Sequence, residues 1–324
     1  MISPNVLIEQ IYRGILGRDP DKVGLEAYLK ALKLGTRPEE IISGMLASEE
    51  FKLRLPEIMA RSFANSGSTL DTEAFDKIVR DGMSVSELET LYALEPENEY
   101  LKLHLHRFRE LFSFIATVIA RKGSAIRILE IGTAQYTTQY YRRLFPEIEL
   151  ATIDRPVETG GNDVSWSQKA GAVAHYNVDL NTADFGELIR HTDFGNRFDL
   201  VVCCEVIEHL QRYGGDVFRG LLQMLSPEGQ LFVTTPNFLA LHNLRALLQG
   251  SNPSPTFRNF FGNRDAHHHY REHTLLELVQ LMKEAGGRTV MAAYSNAWEP
   301  SSYFERSEYT ARTNLVVVGE RQAA

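Results

Sequence analysis

The chain has 324 residues, of which 44% are hydrophobic and 23% charged, a composition typical of a globular protein with a substantial core. Its formal net charge of -8 disfavours a broad nucleic-acid-binding face, because such faces attract phosphates with lysine and arginine. The two cysteines, Cys203 and Cys204, are adjacent and form no disulfide framework, so we expect a reducing compartment. The N-terminus lacks a signal-peptide pattern and no apolar run approaches about 18 residues, so we expect a cytoplasmic protein without a membrane span.

Residues 1–63 have the pattern of a small all-α domain. Apolar residues recur at helical spacing near the N-terminus, and "GLEAYLKALKLG" and "TRPEEIISGMLASEEFKLRL" predict two further amphipathic helices. The stretch "FANSGSTLDT" then has the composition of a linker. We therefore predict a helical domain at 1–63, a linker with helices at 64–109 and a second domain at 110–324.

The first of these segments resembles a bacterial helical domain of unknown function, through "IYRGILGRDPDKVGLEAYLKALKLG" and "IISGMLASEEF". Members of that family are often attached to surface, secreted or glycan-related proteins. The resemblance implies scaffolding or the docking of a protein partner, not chemistry. A bundle that only packs on its neighbour explains the pattern equally well.

From residue 126 the pattern changes to short apolar runs, most of them separated by helix-like segments. The runs are "IRILEIG", "ELATIDR", "HYNVDL", "FDLVVCCEVI", "GQLFVTTPN", "TVMAAYS" and "NLVVVGE". Strands that alternate with helices predict an α/β fold with a mostly parallel sheet and helices on both faces. In such sheets ligands bind beyond the carboxyl ends of the strands.

Acidic residues stand at the ends of four successive predicted strands: Glu130, Asp154, Asp179 and Glu205. Carboxylates withdrawn from solvent cost free energy without partners, so four in register favour a binding site over chance. An acid at the second strand end can accept hydrogen bonds from both ribose hydroxyls of a nucleoside cofactor. An acid at the third could accept from an adenine amino group.

Residues 110–322 resemble the class I S-adenosylmethionine-dependent methyltransferases, through "ILEIGTAQYTTQYYRRLFP", "ATIDRP", "NVDL", "FDLVVCCEVIEHL" and "LLQMLSPEGQLFVTTPN". The resemblance implies a Rossmann-like seven-stranded sheet and S-adenosylmethionine as cofactor. It implies Asp154 at the ribose and Asp179 at the adenine, with the rest of the site formed by Glu130, Gly132, Thr133, Ala134, Tyr136 and Cys204. Ala134 and Tyr136 replace glycines usual in the family, so a relic fold that no longer binds cofactor is an alternative.

Two carboxylates and an imidazole follow the fourth strand. If the chain turns helical there, Glu205, Glu208 and His209 share one face at positions i, i+3 and i+4. Carboxylates so close repel unless a cation or proton lies between them, and a divalent metal would also take a neutral imidazole. A further ligand is expected from the downstream run "AHHHYREHT".

The pairing of "ExxEH" with a later "HxxExT" resembles small-RNA 2′-O-methyltransferases and ubiquinone-pathway O-methyltransferases. The resemblance implies a divalent metal, Mg or Mn, held by Glu205, Glu208, His209 and His269, which activates one of two neighbouring hydroxyls. His268 is then the candidate base, although its role and that of His269 could be exchanged. Without a metal, His209 becomes the candidate base.

These patterns together predict an O-methyltransferase that acts on a sugar hydroxyl of a glycan or polysaccharide precursor. One alternative is a methyltransferase for RNA 3′ ends or a catechol-like small molecule, although the acidity of the chain argues against RNA. A second alternative is a non-catalytic scaffold with a relic methyltransferase fold.

Overall fold

The structure, a computed structural model, describes residues 3–51, 54, 71–92, 99–132, 138–161, 163, 169, 171–192, 197–248, 250–254, 269–297 and 312–322. The chain divides into two compact units, residues 1–67 and 68–324. In the parts described, no helix combines the length and the apolar character needed to cross a bilayer.

The first unit contains helices α1 (Pro4–Leu16), α2 (Lys22–Lys33) and α3 (Pro38–Leu46). Side-chain caps begin two of them: Ser3 accepts from the amide of Val6, and Asp21 accepts from the amide of Gly24. The core of this unit consists of Ile8, Ile11, Tyr12, Leu16, Ile41 and Met45. The helical prediction for this segment is confirmed.

In the described part of the second unit, three helices precede the sheet: α4 (Thr72–Asp81), α5 (Val85–Tyr92) and α6 (Glu99–Lys122). Phe75 and Phe114 contact the ring of Phe232 in the sheet, with centroid distances of 6.5 Å and 4.6 Å. These helices therefore contribute to the core of the second unit. Part of that contribution comes from residues within 64–109, the segment predicted to be a linker with helices.

A seven-stranded sheet in the order β3-β2-β1-β4-β5-β7-β6 forms the centre of the second unit. Its strands are β1 (Arg127–Ile131), β2 (Glu149–Asp154), β3 (Ala174–Asn177), β4 (Phe198–Cys204), β5 (Leu225–Pro236), β6 (Gly287–Ser295) and β7 (Asn314–Arg321). β1 to β5 pair in parallel, and β7 is antiparallel to both β5 and β6. The α/β prediction with a Rossmann-like seven-stranded sheet is confirmed.

Among the described residues, five helices connect the strands: α7 (Thr138–Leu144), α8 (Phe185–Thr192), α9 (Gly214–Met224), α10 (Leu241–Leu248) and α11 (Leu275–Glu284). The strand order reverses between β1 and β4, which are neighbours in the sheet although two strands separate them in the chain. Crevices form at such reversals beyond the carboxyl ends of the strands, so this edge is the place to look for a ligand site.

Candidate active site

A cavity of about 410 Å³ opens at this reversal of strand order. Residues that follow β1, β2, β3 and β4 line it, among them Gly132, Asp154, Asp179, Glu205, Val206 and His209. Its volume lies within the usual range of small-molecule sites, and its lining mixes apolar groups with a few carboxylates. The topology therefore brings together side chains that lie far apart in the sequence.

Gly132 has a backbone conformation that favours glycine. Its φ is 73°, and a Cβ added there would lie 2.4 Å from Cγ2 of Val206. The amide of Gly132 also donates to the carbonyl of Ile153 on β2. A side chain here would meet both backbone strain and a clash, so the close approach of β1 to the turn after β4 depends on this glycine.

Both of the acids predicted to hold the nucleoside line the cavity. Asp154 is 8% exposed at the end of β2, and its Oδ1 accepts from the amide of Arg155 at 2.8 Å. Asp179 follows β3, and its Oδ1 accepts from the amide of Asn181 at 2.9 Å. Local backbone donors thus fix both carboxylates at the cavity wall.

Glu130 and Cys204 do not belong to the described lining of this cavity. Glu130 is buried, and its Oε2 accepts from the hydroxyl of Thr138 at 2.5 Å. Burial raises the pKa of Cys204 to about 12, so its thiol is neutral and packs against the core. The predicted cofactor residues Thr133, Ala134 and Tyr136 lie outside the described residues.

The chain does not turn α-helical directly after β4, so the expected one-turn arrangement is wrong in this detail. Glu205 has a φ of 56°, rare for a residue other than glycine, and only a 3₁₀ turn, Ile207–His209, follows. The Glu205 carboxylate accepts from Thr234 at 2.7 Å and Asn314 at 3.0 Å. Its other oxygen lies 3.3 Å from the guanidinium of Arg107.

Glu208 is the most deeply buried acid at the end of β4, with 1% of the residue exposed. Its Oε2 accepts from the hydroxyl of Thr235 at 2.9 Å, while its Oε1 accepts no hydrogen bond from any described residue. Burial, reinforced by the nearby Glu205 carboxylate, raises the pKa of Glu208 well above its ordinary value. A cation beside Oε1 would compensate both the burial and the repulsion.

Two imidazoles complete a possible metal site with this carboxylate. Within the described parts of the chain, Glu208, His209 and His269 each offer a ligand atom, and these atoms lie within 4.8 Å of one another. The rings of His209 and His269 meet edge to face with centroids 4.9 Å apart. Three of the four predicted ligands therefore come together, and Glu205 lies beside the group with its carboxylate held by other partners.

The glutamate of the motif "HxxExT", Glu272, positions His269. Nδ1 of His269 lies 3.0 Å from Oε1 of Glu272, whose Oε2 accepts from Asn243 at 3.0 Å. Burial opposes the charge on Glu272, but these hydrogen bonds outweigh it and lower its pKa. Thr274 caps α11, where its hydroxyl accepts from the amide of Glu277. The predicted base His268 lies outside the described residues.

A three-residue group of this kind fits a divalent ion. One carboxylate and two imidazoles are common ligands, and a carboxylate that accepts from the second nitrogen of a ligating histidine is the usual support. The unsatisfied Oε1 of Glu208 is the specific observation that favours a cation here. The strand order β3-β2-β1-β4-β5-β7-β6, with β7 antiparallel, defines a class I methyltransferase fold, and the cavity and the three-residue group lie at the carboxyl ends of its strands.

The family comparison agrees with that class. The profile of the family described as "Methyltransferase domain" matches residues 103–290, more than half of the chain. The chain belongs to this family, and it is an S-adenosylmethionine-dependent methyltransferase. A second profile, "Domain of unknown function (DUF4214)", matches residues 2–55, which covers the N-terminal helices.

Two of the matching solved structures are distant likenesses of this chain. An S-adenosylmethionine-dependent methyltransferase from Mesorhizobium loti is 13% identical, with TM-score 0.43 over 64% of this chain and 96% of its own. One from Aquifex aeolicus is 11% identical, with TM-score 0.40 over 73% of this chain and 98% of its own. No curated protein sequence matches the chain significantly.

Proposed function

We propose that the protein is a divalent-metal-assisted O-methyltransferase that methylates a sugar hydroxyl of a glycan or polysaccharide precursor. The observation that carries the proposal is the group formed by Glu208, His209 and His269, one member of which also lines the cofactor cavity. A protein partner docked by the N-terminal helical unit is part of the same proposal.

The cavity residues support one orientation of the cofactor. S-adenosylmethionine would supply the methyl group of its sulfonium: the acceptor oxygen would form a bond to the methyl carbon while the opposite C–S bond breaks in line and S-adenosylhomocysteine leaves. Asp154 would accept hydrogen bonds from the ribose hydroxyls, and Asp179 would accept from the adenine amino group. Gly132 lets the backbone approach the methionine end closely. Catalysis then rests largely on holding the two reacting atoms in line.

The acceptor hydroxyl must lose a proton to become a good nucleophile. A divalent ion, when bound, lowers the pKa of a hydroxyl that coordinates it. His268 would then take the proton, in the role that the sequence pattern gives it. In an ion-free reaction Nε2 of His209, which lies 3.7 Å from Oε1 of Glu208, would take the proton instead.

The donor set favours manganese over magnesium. Two of the three ligands are imidazole nitrogens, which suit transition metals better than they suit magnesium. Glu208 supplies the negative charge, and Glu272 supports His269 from behind. We therefore expect Mn²⁺ to restore more activity than Mg²⁺ to protein stripped with a chelator.

The proposed acceptor class rests on two arguments. A metal that binds two neighbouring oxygens suits a vicinal diol, which sugars contain in abundance. The N-terminal unit resembles domains often attached to glycan-related proteins, and the acidic chain disfavours RNA. A catechol-like acceptor has the same pair of oxygens, so it is the competing outcome of the test.

The test is transfer of a labelled methyl group to neutral glycans, RNA 3′ ends and catechols, with Mn²⁺, with Mg²⁺ and with EDTA. We expect transfer to a glycan that Mn²⁺ supports and EDTA abolishes. Glu208→Gln and His269→Ala should lose that transfer, whereas Glu228→Gln, which removes an exposed carboxylate outside the group, should keep it. Transfer only to RNA or catechols would refute the glycan assignment, and full activity in EDTA would refute the metal role.

A further inference from the structure

A second cavity, of about 750 Å³, adjoins the cofactor cavity. Leu210, Gln211 and Tyr270 line both cavities, so a ligand in the second one would lie next to the space that His209 borders. The amide of Tyr270 also donates to the carbonyl of Glu208 at 2.7 Å, which ties this shared wall to the proposed metal group. The volume falls within the range of small-molecule binding sites.

A buried histidine lines this second cavity. His273 is 6% exposed, and its Nδ1 has no hydrogen-bond partner among the described residues. Burial lowers the pKa of His273 below its ordinary value, so the ring is neutral at neutral pH and can donate at one nitrogen and accept at the other. Buried polar groups in proteins rarely lack partners, so an unpaired one at a cavity points to a ligand hydroxyl.

Two exposed tyrosines stand among the residues of the same cavity. Tyr213 is 52% exposed and Tyr270 is 39% exposed. Flat rings with polar tips suit a sugar, because the ring face covers the C–H face of the sugar while groups at the edge bind its hydroxyls. Gln211, Gln280 and Glu284 offer amide and carboxylate groups in the same lining.

The charges of this cavity are balanced and already engaged. Arg212 donates to the carbonyl of Ala183 at 2.6 Å, and Arg271 pairs with Glu277 at 2.6 Å. Glu284 accepts hydrogen bonds from the hydroxyl of Tyr213 and from Gln280. Two arginines and two glutamates leave the described lining without a net positive charge, so it favours an uncharged ligand over a phosphate-bearing one.

We propose that the second cavity is an acceptor subsite for an uncharged sugar ring, the unit adjacent to the one that is methylated. This assignment rests on the proposed function, since that function makes the bound sugar part of an acceptor. It adds that the acceptor has at least two sugar units. Tyr213 and Tyr270 cover the sugar faces, and His273 with the amide groups binds its hydroxyls.

The test measures binding without turnover, by saturation-transfer NMR and calorimetry on the full chain with S-adenosylhomocysteine and EDTA. The probes are cellobiose, maltose and chitobiose, compared with glucose, N-acetylglucosamine and glucose 6-phosphate. We expect a disaccharide to bind more tightly than any single sugar. Tyr213→Ala should weaken that binding about tenfold, through loss of a stacking contact.

Two variants serve as matched controls. Tyr213→Phe keeps the ring and should retain most of the binding, while Leu276→Ala changes an exposed residue of α11 outside the cavity lining and should retain all of it. Thermal unfolding of each variant verifies that it is folded. Equal binding by Tyr213→Ala, preference for the phosphorylated sugar, or no binding by any disaccharide would each overturn the subsite.

The two proposals fail in different ways. If a catechol is the methylated acceptor while disaccharides still bind through Tyr213, the glycan function is wrong and the binding site remains. If sugar hydroxyls are methylated but Tyr213→Ala leaves the KM for the acceptor unchanged, the subsite is wrong and the function remains.

Discussion

Nδ1 of His269 lies 3.0 Å from Oε1 of Glu272, and the His269 ring meets His209 edge to face with centroids 4.9 Å apart. Because a carboxylate only accepts, the proton of a neutral His269 belongs on Nδ1, which leaves the Nε2 lone pair for a ligand. Glu272 thus selects the tautomer of His269 that can bind a metal. Asn243 in turn fixes Glu272 at 3.0 Å.

Glu272→Gln should weaken Mn²⁺ binding. Glutamine can offer its oxygen to His269 but lacks the charge that strengthens the imidazole as a ligand. We expect the affinity for Mn²⁺ to fall by about 10- to 100-fold, the usual effect of losing such a supporting carboxylate. Calorimetric titration of Mn²⁺ into the chelator-treated protein measures it directly.

Glu228→Gln is the control for that titration, since it makes the same substitution at an exposed position outside the metal group. Its affinity for Mn²⁺ should equal that of the wild type. An unchanged affinity in Glu272→Gln would mean that Glu272 does not support the ion.

Glu205 and Glu208 should respond differently to the same substitution. Glu208→Gln removes the charged ligand of the group, and we expect Mn²⁺ affinity to fall by more than about tenfold. Glu205→Gln keeps an oxygen for Thr234 and Asn314 and loses mainly the ion pair with Arg107, so a fall of less than about threefold is expected. Equal losses in the two variants would restore Glu205 as a metal ligand.

Much of the sheet could be predicted from the sequence, because its strands are short apolar runs with breaks between them. All seven expected runs coincide with strands, and the acids at 154 and 179 line one cavity as parallel strand ends require. The local sequence pattern could not predict the environment of the Glu205 side chain, which lies at an irregular point of the backbone. The Glu205 carboxylate is held by Thr234, Asn314 and Arg107. Nothing in "CCEVIEH" indicates these partners or the left-handed backbone, φ 56°, of this glutamate.

Contacts between distant parts of the chain account for the other features that could not be predicted from the sequence. Arg107 lies 98 positions before its partner Glu205, and no periodicity connects the two. Glu272 was visible within "HxxExT", but only the hydrogen bond to His269 gives it a role. The helices that begin at Thr72 follow a linker-like stretch, and their membership in the second core is visible only from contacts such as Phe75 with Phe232.

Gly132→Ala should impair cofactor binding. A Cβ at φ 73° costs about 1–2 kcal/mol in backbone strain, and it would also lie 2.4 Å from Cγ2 of Val206. Because Val206 lines the cofactor cavity, the displacement reaches the site itself. We expect the affinity for S-adenosylhomocysteine to fall by at least about tenfold in calorimetry.

Gly14→Ala provides the contrast, since a Cβ there meets nothing within 4 Å and the residue lies inside α1. That variant should bind S-adenosylhomocysteine normally and be slightly more stable, because alanine favours helices over glycine. Normal binding by Gly132→Ala would show that the loop after β1 tolerates a side chain.

Glu110 makes stability depend on pH. It is 4% exposed, and burial raises its pKa to about 8, opposed by hydrogen bonds and by Arg312 and reinforced by Asp76. Below the unfolded pKa of 4.5 both states hold the proton, so folding carries no penalty from this group. As the pH rises from 4.5 to about 8 the unfolded state releases the proton first, and stability is lost through that range.

Glu110→Gln should remove this loss, because the amide resembles the protonated acid and does not ionise. We expect the variant to match the wild type near pH 4.5 and to exceed its free energy of unfolding by about 1–3 kcal/mol at pH 8. Urea unfolding at both pH values, followed by far-ultraviolet circular dichroism, measures the difference. Glu228→Gln, at an exposed position, should change stability by less than about 0.5 kcal/mol at either pH.

A Glu110→Gln variant that is less stable than the wild type at pH 8 would mean that the buried carboxylate is charged in the folded protein and held by Arg312.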